Sequence, residues 1–419
     1  MNICVFGTTL QAGVLAGLFA EYGHHVYWCP RVGADDQSSV HYQDEDLNQL
    51  IQKQIKNNAI QLVGLKQLQL QSEVFLFSFN PSEFAQAKHL AEELKRFPII
   101  HPRLMINGST FGLQGTEEFK QILVADHWAY LPDTIQEGNA IQSFIDLKQV
   151  IVGVDQSATQ QIIKELLRPF FQLKHQYLFM PFLDAEFTKL SISGMLATRI
   201  SYMNDMAQVA EKLNIDIHNV KQGLASDSRI GASYLSAGVG FGGENFSHDI
   251  LTLTGTVAGS GIKSQLLDQV WNINEQQKEI LFRKLWNYYQ GQLIGKVVAI
   301  WGASFKENTS SIENSPIHAM LAALWAQGAI VKLHDPQALE RVANFYGERA
   351  DLILCHDQYQ AVENAHALCL LTAWKQYWSP DYSQLLQKMV HPLILDGRNM
   401  LDPDFVKAQG FAYQGVGRV

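Results

Sequence analysis

Residues 238–249 read GVGFGGENFSHD. Glycine fills four of the first six positions, and mostly polar side chains follow from Glu244 to Asp249. Because glycine has no side chain and reaches positive φ, such a stretch can bring its backbone close to a ligand. A surface turn that binds nothing would look the same, so this stretch alone leaves both interpretations open.

The composition is that of a globular protein with several domains. The chain has 419 residues, of which 47% are hydrophobic and 17% charged, and this length predicts two or three domains. The net charge of -9 argues against a nucleic-acid partner, because binding to nucleic acid requires a basic face.

The cysteines and the apolar segments indicate the compartment. The four cysteines are widely spaced and form no CxxC pair, which predicts neither a metal site nor disulfides and fits a reducing compartment. The first residues are strand-like rather than those of a signal peptide, and no apolar stretch approaches the ~20 residues of a membrane span. We therefore expect a soluble cytoplasmic protein with no membrane partner.

The first thirty residues predict a strand, a glycine turn, a helix and a second strand. Residues 2–6 (NICVF) form an apolar run that Gly7 ends, and apolar residues then recur at helical spacing up to Tyr22. Residues 25–29 (HVYWC) form a second apolar run. This order is typical of the first βαβ unit of a dinucleotide-binding domain.

The glycine fingerprint of that unit is incomplete. Residues 7–12 read GTTLQA in place of GxGxxG, so Thr9 brings a branched side chain to the position where the backbone meets a pyrophosphate. Arg31 follows the second strand where NAD-binding domains have an acid, and a guanidinium there favours the 2′-phosphate of NADP. A Rossmann-like domain that no longer binds a dinucleotide is the alternative. The candidate cofactor-binding residues are Gly7, Thr8, Thr9, Leu10 and Arg31, with Ser109 and Thr110 at a predicted strand end.

Two Rossmann-like halves are predicted around a helical middle. Strand and helix patterns alternate up to about residue 180, helical patterns dominate up to residue 290, and a second strand–turn–helix–strand unit lies at residues 296–335. The predicted fold class is α/β, with two Rossmann-like doubly wound domains joined by a long central helix and a helical middle domain. The predicted domains are residues 1–180, 181–290 and 291–419.

A long amphipathic helix is predicted from Asp184 to about Leu213, since apolar residues recur there at helical spacing. Lys189 and Ser193 lie four residues apart in it and therefore on one face. A lone helical lysine is usually a solvated charge, but the apolar and small neighbours of Lys189 also fit a lysine that faces a cleft. A helix of this length is a good spine between domains and a good dimer surface.

Seven short motifs resemble, in their order, the UDP-glucose/GDP-mannose 6-dehydrogenase family over nearly the whole chain. They are Arg229-Ile230-Gly231, residues 238–249, residues 302–306 (GASFK), Ser315-Pro316, residues 334–336 (HDP), residues 371–374 (LTAW) and residues 396–398 (DGR). A single motif would be a weak signal, whereas seven at sensible spacing indicate descent from that fold.

The resemblance implies a reaction and shows where this chain departs from it. Members of the family oxidise the C6 alcohol of a nucleotide sugar to a carboxylate, with two NAD⁺ in succession. The second oxidation requires a thiolate that captures the aldehyde, so that a thioester forms and is hydrolysed. In the family this thiol follows Gly-Gly-X of the glycine stretch, and Asn245 occupies that position here. An amide is not a nucleophile at neutral pH, so the family's route to the second oxidation is closed.

The resemblance assigns catalytic roles to four more residues. Lys189 matches the lysine that supports the oxyanion, and Asp249 matches the aspartate that works with it. Ser193 replaces an asparagine but keeps a hydroxyl, and Asp133 replaces a glutamate that is used in the hydrolytic step. Further departures from the family occur at His248, Glu313 and Asn314.

The nucleotide-sugar contacts match better. The matching residues are Phe241, Gly242, Gly243, Lys306 for the phosphates, Arg398 and Arg229. In the family the arginine at Arg229 reaches into the neighbouring subunit's site, which together with the long helix predicts a homodimer. Glu244 adds a negative charge next to the expected place of the diphosphate or sugar.

Three functions are open. The first is an oxidoreductase that acts on the CH–OH group of a UDP- or GDP-sugar with NAD or NADP and lacks the thioester-dependent second oxidation. The second is a catalytically inactive member of the family that binds a nucleotide sugar or serves as a scaffold. The third is a complete UDP-sugar 6-dehydrogenase with a non-cysteine mechanism. We favour the first, because a scaffold has little use for the polar set Lys189, Asp249, Arg229, Lys306 and Arg398.

Overall fold

The chain divides into two compact units. A computed structural model describes residues 1–30, 40–65, 72–96, 102–262 and 265–418, and its units are Met1–Ile192 and Ser193–Val419. Each unit contains one sheet with helices in the connections, which confirms the predicted α/β fold class with two Rossmann-like halves. The predicted division into three domains at residues 180 and 290 stays a prediction.

The first unit contains an eight-stranded sheet. Its strands are β1 (Asn2–Phe6), β2 (His25–Cys29), β3 (Ile60–Leu62), β4 (Val74–Phe77), β5 (Leu104–Asn107), β6 (His127–Tyr130), β7 (Val150–Val154) and β8 (Tyr177–Met180). Their order is β3-β2-β1-β4-β5-β6-β7-β8, and β6 and β7 pair antiparallel. The direction of strand addition reverses between β1 and β4, and ligands of such sheets bind beyond the carboxyl ends of the strands at that switch point.

Helices cover this sheet. Those of the described residues are α1 (Leu10–Glu21), α2 (Glu45–Lys56), α3 (Phe84–Lys95), α4 (Gly115–Ile122), α5 (Ala140–Ile145) and α6 (Ser157–Leu167). Strands β4 and β5 are buried along their whole length, as expected for strands covered on both faces. Helix α1 buries all residues from Gln11 to Ala20, which fixes its N-terminus at the carboxyl end of β1.

The long helix is confirmed. It is α7 (Phe182–Leu213), with 32 residues, and the boundary between the two units falls inside it. Large apolar side chains along it are exposed in the single chain, namely Leu183, Phe187, Ile192, Met195, Tyr202, Val209 and Leu213. The homodimer stays a prediction. A partner subunit packed on this helix would cover its exposed apolar side chains. Among the described residues, no helix combines the length and the apolar character that a membrane crossing requires.

The second unit contains a six-stranded parallel sheet. Its strands are β9 (Val297–Trp301), β10 (Ile330–His334), β11 (Leu352–Leu354), β12 (Ala367–Leu370), β13 (Leu393–Asp396) and β14 (Ala412–Gly415). Their order is β11-β10-β9-β12-β13-β14, so the switch point lies between β9 and β12. A core of aliphatic residues fills one face of this sheet and an aromatic core with Trp301 and Tyr377 fills the other.

Nine helices of the described residues belong to this unit besides the rest of α7. They are α8 (Ile217–Ser226), α9 (Glu244–Gly259), α10 (Gln265–Gln277), α11 (Ile280–Tyr288), α12 (Pro316–Ala326), α13 (Leu339–Tyr346), α14 (Gln358–Ala361), α15 (Tyr382–Lys388) and α16 (Pro403–Ala408). Ser315 caps α12, because its hydroxyl accepts the Ile317 N–H at 3.3 Å and Pro316 is the first helical residue.

Helix α9 begins earlier than the sequence suggests. Residues 238–249 read as one continuous loop, but only residues 238–243 are irregular and the helix begins at Glu244. Gly243 is the N-cap with φ 92°, and an acidic residue in the first turn suits the helix dipole. The polar run from Glu244 to Asp249 is therefore a helical turn and not a loop.

Candidate active site

The glycine turn, residues 238–243, lies against the carboxyl edge of the second sheet. The Val239 N–H donates to the Gly397 carbonyl at 3.0 Å, just beyond β13. A Cβ on Gly238 would lie 2.7 Å from that carbonyl oxygen, and a Cβ on Gly242 would lie 2.6 Å from the Asn314 carbonyl oxygen. Neither position accepts a larger residue unless the backbone shifts, because packed atoms do not approach so closely.

The turn leads directly into the first turn of α9. The Gly243 N–H donates to the Glu313 carbonyl at 2.8 Å, and a Cβ on Gly243 would lie 2.9 Å from the Phe305 ring. Glu244 and Asn245 are the first two helical residues, and both are exposed. The N-terminus of a helix carries a partial positive charge, so a reactive group at position 245 lies in a field that favours an anion.

A buried carboxylate follows one turn further along α9. Asp249 is 1% exposed, and its Oδ2 accepts a hydrogen bond of 2.7 Å from the Ser193 hydroxyl of α7. Lys189 is half-buried and precedes Ser193 by one turn of the same helix. The structure thus brings the predicted residues Ser193 and Asp249 into direct contact.

Two predicted nucleotide-sugar-binding cations belong to the second unit. Lys306 is half-buried and follows β9, and Arg398 is half-buried and follows β13. The Arg398 guanidinium donates to the Leu371 carbonyl at 2.6 Å and to the Phe305 carbonyl at 2.8 Å. Arg398 therefore holds the segment that carries Lys306, since Phe305 is its neighbour in the chain.

Phe241 and Arg229 differ in their surroundings. Phe241 is 7% exposed, and its ring packs edge-on against Phe246 and Trp271, with centroids 5.2 and 6.1 Å away. Arg229 is exposed and forms an ion pair of 2.6 Å with Asp227. The contact of Arg229 with a neighbouring subunit stays a prediction.

Helix α10 supplies contacts that the sequence did not reveal. Asn274 Oδ1 accepts the Phe241 N–H at 2.7 Å and Asn274 Nδ2 donates to the Phe241 carbonyl at 3.1 Å. Gln277 Nε2 donates to the Gly238 carbonyl at 2.8 Å. Both amide side chains are fully buried, although the surrounding run of polar residues is typical of a solvated helix face. These two residues hold the backbone of the glycine turn.

In the first unit, the turn after β1 packs tightly against the end of β4. Gly7 has φ 100°, and a Cβ on it would lie 2.0 Å from the Ser78 carbonyl oxygen. The Thr9 hydroxyl caps α1 by accepting the Ala12 N–H at 3.1 Å, and it lies 2.5 Å from the Ser78 hydroxyl. The branched side chain of Thr9 is therefore buried, at 7% exposure, against the residue that follows β4.

The neighbours of this turn are Thr8 and Leu10, which are both half-buried. The Tyr42 hydroxyl donates to the Thr9 carbonyl at 3.0 Å and lies 3.3 Å from the Thr8 carbonyl, so it braces the turn. Arg31 lies outside the described residues.

The remaining predicted residues lie after β5 and β6. The buried Ser109 hydroxyl accepts the Phe79 N–H at 2.9 Å, so it ties together two strand ends, while Thr110 is half-buried. Asp133 is half-buried, and its Oδ1 accepts the Ile135 N–H at 3.0 Å. Ser109 is thus a structural residue of this edge, whereas Thr110 and Asp133 are partly accessible.

The thiols are unsuited to replace a nucleophile at Asn245. All four cysteines are buried, and burial raises the pKa of Cys4 to about 12 and that of Cys29 to about 11. Burial also raises the pKa values of Cys355 and Cys369. A thiol that stays protonated is a poor nucleophile. The described residues contain no group of three or more His, Cys, Asp or Glu that could hold a metal ion.

Comparison with known proteins identifies the family. Residues 183–276 match the model of the central domain of the UDP-glucose/GDP-mannose dehydrogenase family, and residues 299–403 match the model of its UDP binding domain. The chain is 32% identical to the UDP-glucose 6-dehydrogenase of Pseudomonas aeruginosa, over 100% of this chain and 98% of the relative. This chain belongs to the UDP-glucose/GDP-mannose dehydrogenase family. It shares 27% identity with a second family member, the UDP-glucose 6-dehydrogenase of Rhizobium meliloti, over the full length of both.

The fold is also that of solved family structures. A UDP-glucose dehydrogenase from the hyperthermophilic archaeon Pyrobaculum islandicum superimposes with a TM-score of 0.86 at 21% identity, covering 100% of this chain and 98% of the other. Lys306 and Arg398 fall within the range matched by the UDP binding domain of the family, and Lys189, Ser193, Asn245 and Asp249 fall within its central domain.

Proposed function

We propose that the chain oxidises the CH–OH group of a UDP- or GDP-sugar by a single hydride transfer to NAD or NADP and does not carry out the thioester-dependent second oxidation. The observation that carries this proposal is the exposed amide of Asn245 in the first turn of α9. By the resemblance it takes the place of the family's thiol, and an amide does not attack an aldehyde at neutral pH. The buried cysteines offer no substitute.

The nucleotide-sugar half of the proposal rests on the second unit. The glycine turn lies at the carboxyl edge of its sheet, where ligands of doubly wound folds bind. Lys306 and Arg398 bring two positive charges to the residues that follow β9 and β13, and such charges suit a diphosphate. The rigid glycine turn then provides a surface that the ligand can approach without side chains in the way.

Lys189, Ser193 and Asp249 would act on the reacting alcohol. An alcohol that loses a hydride must also lose its hydroxyl proton, and a nearby cation stabilises the oxygen as that proton leaves. We assign this role to the ammonium of Lys189, with Asp249 as the carboxylate that works with it. Ser193 holds the Asp249 side chain by its 2.7 Å hydrogen bond and so fixes its orientation.

The first unit would hold the dinucleotide. Gly7 and the N-terminus of α1, bordered by Thr8 and Leu10, fit a pyrophosphate, because the first turn of a helix offers backbone N–H groups and a positive dipole end. When bound, the nicotinamide accepts the hydride. Cys29 ends β2 where an acid would bind the ribose hydroxyls, so the choice between NAD and NADP falls to other residues, of which Arg31 is the predicted one.

Turnover of a panel of nucleotide sugars tests the proposal. UDP-glucose, other UDP-sugars and GDP-mannose are incubated with NAD⁺ or NADP⁺, and the reduced-nicotinamide absorbance and the product mass are recorded. We expect one reduced dinucleotide per sugar consumed and a product that is lighter by two hydrogen atoms. A K189A variant should bind the same sugar and lose turnover. A carboxylate product would overturn the proposal and support a complete 6-dehydrogenase with a non-cysteine mechanism.

A catalytically inactive nucleotide-sugar-binding or scaffold protein is the second candidate. It is favoured by the same feature, a retained glycine turn next to an exchanged reactive residue. Calorimetric titration separates the two candidates. Binding of a UDP-sugar without any heat signal from NAD⁺ or NADP⁺ would support the inactive protein, whereas binding of both ligands supports the oxidoreductase.

A further inference from the structure

A buried lysine directly after α10 has no role in the chemistry described above. Lys278 is 4% exposed, and its ammonium donates to Asn314 Oδ1 at 2.5 Å and to Glu275 Oε1 at 2.7 Å. The same nitrogen lies 5.8 Å from the centroid of the Trp271 ring. Burying an ammonium is costly unless hydrogen-bond partners surround it, so this side chain is held in one place by its partners.

Asn314 connects that ammonium to the start of α9. Its Nδ2 donates to the Ser247 hydroxyl at 2.7 Å, and Ser247 lies in the first turns of the helix. Asn314 has φ 53°, a left-handed conformation that asparagine tolerates better than most residues. Its carbonyl oxygen is the atom that a Cβ on Gly242 would meet at 2.6 Å. One residue therefore touches both the glycine turn and the helix that follows it.

Asn314 also lies at the end of the segment that carries Lys306. This segment, residues 302–314, leads from β9 to the cap of α12. It is closed on itself by the Phe305 N–H, which donates to the Ser311 carbonyl at 3.0 Å, and it is tied to Gly243 through the Glu313 carbonyl. Any shift of Asn314 would thus change the spacing between Lys306 and the glycine turn.

We propose that Lys278 is a positioning residue of the nucleotide-sugar site: through Asn314 it clamps the Lys306 segment onto the glycine turn and the start of α9. This inference rests on the proposed function, because it assumes that Lys306 and the turn bind one ligand. Lys278 itself stays buried and acts through its partner. A site that is already ordered before binding loses less affinity to the cost of ordering, so the clamp contributes to affinity.

Three variants and a matched control test the clamp. K278M removes the ammonium, and N314G removes the linking amide while glycine still adopts φ 53°; the third variant combines both changes. The matched control is K284M, which removes another lysine of the second unit, paired with Glu211 at 2.6 Å and with a side chain 12% exposed. Calorimetry with UDP gives the affinity, and hydrogen exchange of residues 239–248 reports the order of the site without any ligand.

We expect K278M and N314G each to bind UDP roughly tenfold more weakly, as for loss of one coupled contact, and to exchange the N–H groups of Gly243 and Ser247 faster. The double variant should be no weaker than either single variant, because both changes break the same link. K284M should lower the unfolding midpoint but bind UDP as the wild type does. K278R keeps the cation and should retain most of the affinity for UDP. It also keeps the test possible if K278M does not fold.

Two results would overturn the clamp. The first is a K278M variant that equals K284M in UDP affinity or in hydrogen-exchange rates. The second is a double variant in which the affinity losses of the two single variants add up. A wild-type protein that binds no UDP would instead refute the proposed nucleotide-sugar site. The exchange comparison between K278M and K284M distinguishes the two failures, since it needs no ligand.

Discussion

Asn245 lies exposed in the first turn of α9, within the field of a helix N-terminus. Helix N-termini lower the pKa of a thiol, so in an N245C variant we expect a thiol pKa below the usual value of about 8.5. Such a thiolate could capture the aldehyde product, and we expect the variant to form some carboxylate. The pH dependence of alkylation by iodoacetamide gives the thiol pKa, and mass spectrometry gives the product.

The control for this prediction is N245S. Serine is similar in size to the cysteine of N245C, but its hydroxyl stays protonated at neutral pH. It should yield the same product as the wild type. An N245C thiol that titrates at or above the usual value would contradict the electrostatic argument, while a reactive thiol without carboxylate would show that the rest of the hydrolytic site is lost.

The Ser193–Asp249 hydrogen bond can be tested by its contribution to stability. Because its acceptor is a buried carboxylate, an S193A variant should lose about 1.5–3 kcal/mol of unfolding free energy. S201A is the matched control, since the buried Ser201 hydroxyl donates to a neutral carbonyl, that of Val270, at 2.8 Å. Its loss should be about 0.5–1.5 kcal/mol. Urea unfolding measures both, and equal losses would mean that the charge of Asp249 adds nothing.

Some of the candidate site residues could be predicted from the sequence and others could not. Asn245 and Asp249 stand in the motif of residues 238–249 and Lys189 stands in the predicted long helix, so the sequence predicted all three as candidates. Asn274 and Gln277 were missed, because amide side chains in a polar helical run normally face water and only the tertiary fold buries them. Burial of a polar residue depends on what packs over it, and a single stretch of sequence does not contain that information.

Among the elements, the glycine turn has little room for added side-chain atoms. A G242A variant would place a Cβ 2.6 Å from the Asn314 carbonyl oxygen, and we expect a loss of about 1–3 kcal/mol of stability together with weaker UDP binding. The matched change is G255A, at an exposed position of α9 where a Cβ would meet nothing within 4 Å. It should stabilise the protein by up to about 1 kcal/mol, because alanine favours helix. Thermal unfolding compares them, and a tolerated G242A would show that the turn can move.

Helices α7 and α9 show which element boundaries a sequence can predict. The apolar spacing of α7 persists over 32 residues, so its existence and its end were predicted correctly. The start of α9 was placed wrongly because glycines and polar residues usually mean a loop. In fact Gly243 supplies a cap conformation with positive φ, 92°, from which a polar first turn can start.

At the scale of the whole molecule, buried and half-buried imidazoles make stability depend on pH. Burial lowers the pKa values of His248, His318 and His334 below their usual 6.5. The unfolded chain therefore binds more protons than the native one below pH 6.5, and these groups cost stability as the pH falls from 6.5 through their lowered native pKa values. Buried carboxyls with raised pKa values, Glu186 and Asp396, act in the opposite direction.

An H318Q variant isolates the histidine contribution. His318 contacts the Ile312 carbonyl at 2.8 Å, which a glutamine amide can also approach, but glutamine does not titrate. The wild type should therefore lose more stability than H318Q when the pH falls from 7.5 to 5.5. Urea midpoints at several pH values between these limits measure the difference, and parallel curves would contradict the assignment.

The two Rossmann-like halves were predictable because each buried strand is a short apolar run between turn residues, such as VFLF in β4. The order of the strands was not, since sheet neighbours are chosen by packing between distant segments. The antiparallel β6–β7 pair follows no local signal. Dinucleotide binding was harder to predict from the sequence, because the glycine fingerprint at residues 7–12 is incomplete.

Gly238 and Gly242 have no space for a side chain, whereas Asn245 is exposed. This difference bears on which amino-acid exchanges the protein can accept during evolution. Exchanges within the turn alter the shape that receives the ligand, and selection for a folded protein removes them. Exchanges at position 245 cost little stability, because an exposed side chain has few contacts to lose. The proposed function therefore predicts that one amino-acid exchange at position 245 can remove or restore a chemical step while the nucleotide-sugar ligand stays the same.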